Sequence, residues 1–230
     1  TQLDWFSSEH PRSSQIEKKV IPGAVECAKH QPLSDDERTK ARQKWGIGDD
    51  AKLLVCSRRL VPRTGVDLLL EAMKELPGTV TLVVTGDGPA REDLNALSTK
   101  LGLGERVRFT GFVSRQELDQ LTACADLSVL PTRELEGFGL SAAEAMSAGT
   151  PVVATPVGAL VDVVGGLDKG LLAEKVSAAS LAKAIDYGLD QSRDESFRER
   201  CSEYAQTRYD WNHHKEAFVR LCESVARQKS

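Results

Sequence analysis

The chain has 230 residues, 40% of them hydrophobic, and its 30 Lys and Arg against 34 Asp and Glu leave a net charge of −4. That length suffices for one large α/β domain with a full core, and a mild acidic balance without basic runs argues against a dedicated nucleic-acid or membrane-surface role. The five dispersed cysteines form no C-x-x-C pair, no apolar run nears the ~20 residues that span a bilayer, and the start shows no signal-peptide pattern. The expectation is a soluble cytoplasmic protein with reduced thiols and no structural zinc.

Residues 1–34 are polar and irregular, broken by Pro11, Pro22 and Pro32, and read as a linker or hinge. The chain opens on Thr1 rather than Met, which reads as the start of a cut piece. Ser34-Asp35-Asp36-Glu37 is a capping-box pattern and predicts a helix over 34–45 that stops at Gly46. Residues 52–56 are a short apolar run. After Pro62 and Gly65, Val66, Leu69, Leu70, Met73 and Leu76 fall at helical spacing. The unit then repeats, with a strand at 80–84, a break at Gly86-Asp87-Gly88-Pro89 and a helix over 90–101. A third strand is predicted at 107–110, a helix capped by Ser114 with Glu117 three residues on, and a fourth strand at 126–130. A loop and short helix follow, then a strand at 151–154, a helix at 160–164 and a weaker strand at 170–173. Helices are predicted over 177–191, 194–207 and 211–227, the last capped by Asp210. Strands alternating with helices at this pace imply a parallel sheet with helices on both faces, with ligands outside the carboxyl ends of the strands.

The stretch 134–164, ELEGFGLSAAEAMSAGTPVVATPVGALVDVV, carries the densest chemistry. Glu136 precedes the Gly137-Phe138-Gly139 turn, a helix begins near Leu140, and Glu144 lies about one turn inside it before Gly149 ends it. Free backbone N–H groups at a helix N-terminus suit a phosphate, whereas two fixed carboxylates suit hydroxyl donors. Phosphate together with polyol suggests a nucleotide sugar. Arg59 and Gly86, which also follow strands, fall on the same edge as Glu136. A dinucleotide fingerprint beginning at Gly86-Asp87-Gly88 fails at its third glycine, where Arg91 stands.

EGFGLSAAEAMSAGTPVV resembles the donor-site signature of the group 1 (family 4) glycosyltransferases. VCSRRLVPRTGVDLLLEAM is similar to that family's first strand and phosphate loop, VVTGDGPARE to its second βα turn, VRFTGFV to its third strand and RYDWNHHKEAFVRL to its closing helix. The resemblance spans residues 17–225. It implies a Rossmann-like doubly wound parallel sheet, the C-terminal half of a GT-B fold, with extra C-terminal helices. The implied division is an interdomain segment over 1–34, a donor-binding domain over 35–207 and a closing helix over 208–230 that packs toward an N-terminal acceptor domain. KKVIPGAVE resembles the family's hinge, with Pro22-Gly23-Ala24 where the family carries Pro-Asn-Gly.

By this resemblance Glu144 accepts hydrogen bonds from the ribose hydroxyls, which suits a group with acceptor capacity alone. Glu136 lies near the transferred sugar, and the backbone around Gly137, Phe138, Gly139 and Leu140 meets the diphosphate. Arg59 offsets charge developing on the leaving group. The family's Lys five residues later is Thr64 here, with Arg63 beside it. Either Arg63 replaces that cation with a forked donor or the phosphate clamp is weaker, and a solvated loop arginine is the plain alternative. Gly86 is read as a turn admitting backbone close to the ligand, and Phe112 and Val113 as base contacts, though both also suit a core. His213 and His214 read as surface residues, and Asp126-Leu127-Ser128 is no metal-binding aspartate pair, so no metal is assigned.

The implied reaction is metal-independent retaining transfer of a sugar from a UDP- or GDP-type sugar donor to an acceptor hydroxyl, with no cofactor required. The expected partners are the nucleotide sugar and an N-terminal acceptor domain, any membrane association running through that other half. The alternatives are a stand-alone donor-binding subunit and a sugar-nucleotide epimerase or phosphorylase on the same architecture.

Overall fold

The computed structural model describes residues 8–10, 18–48 and 50–227. The rest of the predicted linker, 1–7 and 11–17, lies outside the described residues. Five strands form one parallel sheet: β1 (Lys52–Ser57), β2 (Val80–Thr85), β3 (Val107–Gly111), β4 (Leu127–Leu130) and β5 (Val152–Ala154), in the order β3-β2-β1-β4-β5. The register runs Lys52↔Val80, Leu54↔Leu127 and Val129↔Val153. From β1 the chain works outward to β3, then returns to β1's other side for β4 and β5. The loops after β1 and β4 therefore diverge, and the crevice between them is the topological switch point where such sheets bind ligands.

Leu53, Leu54, Val55 and Cys56 are all buried, as a central parallel strand covered on both faces requires. Successive side chains serve opposite faces. Leu53 and Val55 pack with Ala41 of α1 (Asp35–Lys44) and Leu121 of α4 (Arg115–Cys124). Leu54 and Cys56 join the larger core with α2 (Val66–Glu75), α3 (Arg91–Lys100), α5 (Leu140–Ser147), α6 (Leu160–Val163), α7 (Ala178–Gln191) and α8 (Glu195–Tyr209). Both predicted capping boxes form, Ser34 with Glu37 and Ser114 with Glu117. Gly149 ends α5 at φ 72°.

Asp126 binds the α1 layer to the sheet. Its carboxylate accepts from Leu53 N (2.7 Å), Arg38 Nη2 (2.9 Å) and Arg42 Nη1 (3.1 Å) while nearly buried. The strand predicted at 170–173 is instead a 3₁₀ turn, Lys169–Leu171, followed by a single parallel bridge from Leu172 to Ala154. The Asp168 carboxylate accepts from Gly170 N at 2.8 Å and turns the chain before a ladder can extend.

The segment ahead of α1 is fastened to the far end of the chain. Val25 N donates to Tyr209 O (2.8 Å) and Trp211 N to Val25 O (3.1 Å), and Val25 and Cys27 are buried. The last helix, α9 (Trp211–Arg227), has no buried residue and exposes Trp211, Phe218, Val219 and Val225. Among the described residues no helix is long and apolar enough to cross a membrane.

Candidate functional site at the carboxyl edge of the sheet

The loops after β1 and β2 approach each other too closely for side chains between them. A Cβ on Gly86, whose φ is 107°, would lie 2.1 Å from Arg58 O, and one on Gly88 would lie 2.3 Å from Leu60 O. This explains the Gly-x-Gly. Arg91, in place of a third glycine, donates to Asp87 Oδ2 at 2.8 Å and closes the turn. The Gly88 N–H and the Arg91 guanidinium hold the Asp87 carboxyl below its ordinary range.

Three cavities open along this edge. One of 710 Å³ is lined by Ser57, Arg58, Arg59, Gly86, Phe112 and Val113 among others. It shares Arg59 with a 440 Å³ cleft that includes Arg63, Arg133 and Glu134. It shares Ser57 and Leu118 with a 310 Å³ cavity that includes His30, Asp119, Ser141 and Glu144. Arg59, Gly86, Phe112 and Val113 thus face one space, with Arg63 and Glu144 at its two extensions. Phe112 is 83% exposed, so it is no core residue. The exposed Arg59 guanidinium has no hydrogen-bond or ion-pair partner among the described residues.

Arg63 and Thr64 are placed differently. The Arg63 guanidinium donates to Leu135 O at 3.3 Å, and Arg63 O accepts from Arg133 N at 2.8 Å, which stitches the loops after β1 and β4 together. Thr64 is buried, and its single hydroxyl proton is shared between Arg59 O (2.8 Å) and Val61 O (2.7 Å). It shapes the loop that carries Arg59.

Glu136 lines none of these three cavities directly but is joined to the largest through Arg58. Arg58 Nη2 donates to Glu136 Oε2 (2.7 Å) and to Thr132 Oγ1 (2.9 Å). Sequence reasoning missed Arg58. The doubled arginine immediately after β1 was the available signal. After Glu136 the chain passes exposed Gly137, and Phe138 packs edge-on against Tyr209 at 5.4 Å, turned toward the core. A Cβ on Gly23 would meet the Phe138 ring at 2.7 Å, which accounts for the glycine in the hinge. Gly139, at φ 85°, is the N-cap of α5, and Leu140 begins the helix half-exposed.

Glu144 sits in a charged cluster. Its Oε1 accepts from Arg115 Nη2 at 2.9 Å, and Arg115 also pairs with Asp119 at 3.0 Å. Buried His30 lies 2.8 Å from Arg115 Nη2 and 3.3 Å from Asp119. Ser147 Oγ donates to His30 O at 2.9 Å, tying this segment to the helix that bears Glu144. Neither His30 nor Arg115 carries a sequence motif, since their roles come from segments 85 residues apart meeting in space.

Burial pushes the Cys56 thiol up to about 12, so the cysteine at the end of β1 is inert as a nucleophile. Among the described residues no group of three or more His, Cys, Asp or Glu could hold a metal ion. His213 and His214 contact backbone carbonyls of Gln206 and Pro22.

At the switch point of this doubly wound parallel sheet stand two ion-paired glutamates, an arginine with no partner among the described residues and the N-terminus of α5. Residues 37–208 match the family described as glycosyl transferases group 1, and the chain belongs to that family, with the fold of a GT-B C-terminal domain. The chain is 32% identical over 189 residues to the GDP-mannose-dependent alpha-(1-6)-phosphatidylinositol monomannoside mannosyltransferase of Mycolicibacterium smegmatis, covering 78% of this chain and 48% of that protein. Its fold matches sucrose-phosphate synthase from Thermosynechococcus elongatus with a TM-score of 0.83 at 26% identity, covering 99% of this chain and 57% of that one. It also matches the Anabaena protein HepE, solved in complex with UDP and glucose, with a TM-score of 0.79 at 27% identity, covering 90% and 56%. The chain spans about half the length of the curated relatives it matches.

Proposed function

We propose that this chain is the donor-binding domain of a retaining glycosyltransferase, which moves a sugar from a nucleoside diphosphate sugar to an acceptor hydroxyl. The observation that carries this reading is the arrangement along one sheet edge. Glu144 and Glu136 flank the N-terminus of α5, and the unpaired Arg59 lies across the switch point in a cleft with Phe112 and Val113. That order fits ribose, diphosphate and sugar, with the base against the loop after β3. The UDP-bound relative of the same fold supports it.

In this reading Glu144 accepts from the ribose diol. Arg59 and the N–H groups at Gly139 and Leu140 meet the diphosphate, and Glu136 accepts from a hydroxyl of the transferred sugar. The bond from the sugar's anomeric carbon to the phosphate oxygen breaks, the acceptor oxygen bonds to that carbon on the same face, and the leaving phosphate oxygen takes the acceptor proton. No general base from this domain is needed, and no metal. With Thr64 committed to its own loop, the cationic clamp is Arg59 with Arg63 in second place. The bare apolar face of α9 and the strap at Val25 suit contact with an acceptor-binding domain, and the cytoplasm suits the free thiols.

Isothermal calorimetry of the chain with UDP, GDP and ADP, and with the corresponding sugars, tests the reading. One base series binds, and its sugar form binds at the same site. Failure of every nucleotide to bind overturns it.

A further inference from the structure

Glu136 is held from three strand ends at once. From β1, Arg58 donates through Nη2 to Glu136 Oε2 at 2.7 Å. From β4, the Thr132 hydroxyl reaches the same oxygen at 3.3 Å and also accepts from Arg58. From the loop after β5, Ala159 N donates to Glu136 O at 3.2 Å, and that loop approaches so closely that a Cβ on Gly158 would lie 2.2 Å from the same carbonyl. The residue just before it, Leu135, is the only non-glycine among the described residues with a positive φ, 58°. A left-handed leucine is a costly conformation, found where surrounding structure over-determines the backbone and often at functional sites.

The Arg58 and Glu136 side chains are 11% and 14% exposed. A pair so far removed from water is poor value for stability alone, because desolvating two charges offsets most of their attraction. Arg58 Nε is buried with no hydrogen-bond partner among the described residues, a further cost. Arg58 and Thr132 therefore fix the carboxylate while the loop after β5 and the strained leucine fix the backbone that carries it.

We propose that Arg58 is the positioning residue for Glu136, fixing its carboxylate through Oε2 and cancelling its charge so that Oε1 is presented to a neutral hydroxyl of the donor sugar. This rests on the donor-site reading above. Among the described residues Oε1 has no hydrogen-bond partner, whereas Oε2 has two. Charge cancellation matters because the adjoining cleft, lined by Arg58 and Arg59, is to hold a diphosphate, and an uncompensated carboxylate beside it would repel it. The pair lets an acid recognise hydroxyls next to an anion. The ligand class at this end is an uncharged sugar with a hydroxyl to donate, in preference to a deoxy or acidic sugar.

The test is a double-mutant cycle on the full chain with Arg58→Ala, Glu136→Ala and the double variant. Calorimetry uses UDP with UDP-glucose and GDP with GDP-mannose, and thermal melts accompany each titration. Arg58→Ala is expected to lower affinity for the nucleotide sugar by about tenfold or more, the scale of a charged hydrogen bond, with the free nucleotide altered less than threefold. In the Glu136→Ala background the same change should do almost nothing, because its target is gone. If Arg58→Ala does not fold, the double variant, which leaves no unpaired buried charge, and Arg58→Lys, which restores the cation and part of the sugar preference, decide the matter. Equal losses for nucleotide and nucleotide sugar, or the same loss with and without Glu136, overturn the positioning role. A wild-type chain that binds no nucleotide overturns the donor-site reading and this inference together, whereas wild-type binding with an inert Arg58→Ala overturns this inference alone.

Discussion

Glu144→Ala is the most direct perturbation of the nucleoside end of the site. A vicinal diol brings two donors to one carboxylate, and hydrogen bonds to a charged group contribute about 1.5–3 kcal/mol each. In the structure Oε1 already accepts from Arg115 at 2.9 Å, and the Glu144 side chain is 27% exposed. One bond is therefore counted in full and the shared, partly solvated one at a fraction, for a total of about 2–3 kcal/mol. That is roughly 30- to 150-fold in Kd. Arg115, 54% exposed, keeps its pair with Asp119, so the loss falls on binding and leaves the melting temperature almost unchanged. Calorimetry with a nucleoside diphosphate and its 2′,3′-dideoxy counterpart isolates the diol. The wild type should prefer the ribose form by about that ratio, and Glu144→Ala should bind both forms alike. A ribose preference that survives the substitution refutes the assignment of Glu144 to the ribose.

Asp126→Ala leaves Arg38, Arg42 and Leu53 N without their shared acceptor. Unfolding in urea should show a loss of about 3–5 kcal/mol, as for a buried ion pair broken from one side. Thr64→Val keeps the volume but removes the hydroxyl proton shared between Arg59 O and Val61 O in the Arg59 loop. We expect a stability loss of about 1–2 kcal/mol in a thermal melt, with weaker diphosphate binding by calorimetry and little change for the nucleoside. Burial raises the thiols of Cys56 and Cys201 to about 12 and that of Cys124 to about 11. The folded chain thus holds these protons more tightly than the unfolded one, whose thiols ionise near pH 9. The contribution is complete below pH 9 and is lost as the pH rises toward 11 to 12, at about 1.4 kcal/mol per pH unit for each thiol. Urea midpoints between pH 8 and 10.5 should fall, and Cys56→Ala should flatten the slope.

Local chemistry made much of the fold legible. Both capping boxes, the strand at β1 and the glycine stop at Gly149 each depend on residues a few positions apart, and each formed. The strand predicted at 170–173 failed because Asp168, just upstream, spends its carboxylate on Gly170 N and curls the chain. A short apolar run cannot announce that. The candidate site was legible where it is linear in sequence, as with Gly86 and the loop from Glu136 to Glu144. It was opaque where partners are distant: Arg58 reaches Glu136 across 78 residues, and His30 reaches Arg115 across 85. No spacing rule encodes such meetings, which depend on the strand order.

That order also explains why the two acids differ. Glu136 follows β4, whose neighbour is β1, so the nearest cation to it is the residue leaving β1 on that side, Arg58, and the pair forms deep in the switch-point crevice. Glu144 lies about one turn into α5, where its cation comes from α4 and remains half in water. A largely buried carboxylate whose charge is paired through one oxygen is rigid and nearly neutral in its surroundings, which fits a contact that must keep its geometry while phosphate charge develops next to it. An exposed, exchangeable pair can release its arginine when a diol arrives, which fits a contact made and broken at every binding event. In the proposed reading the same residue type serves a fixed role beside the cleft and a reversible one within it, and burial set by strand order decides between them.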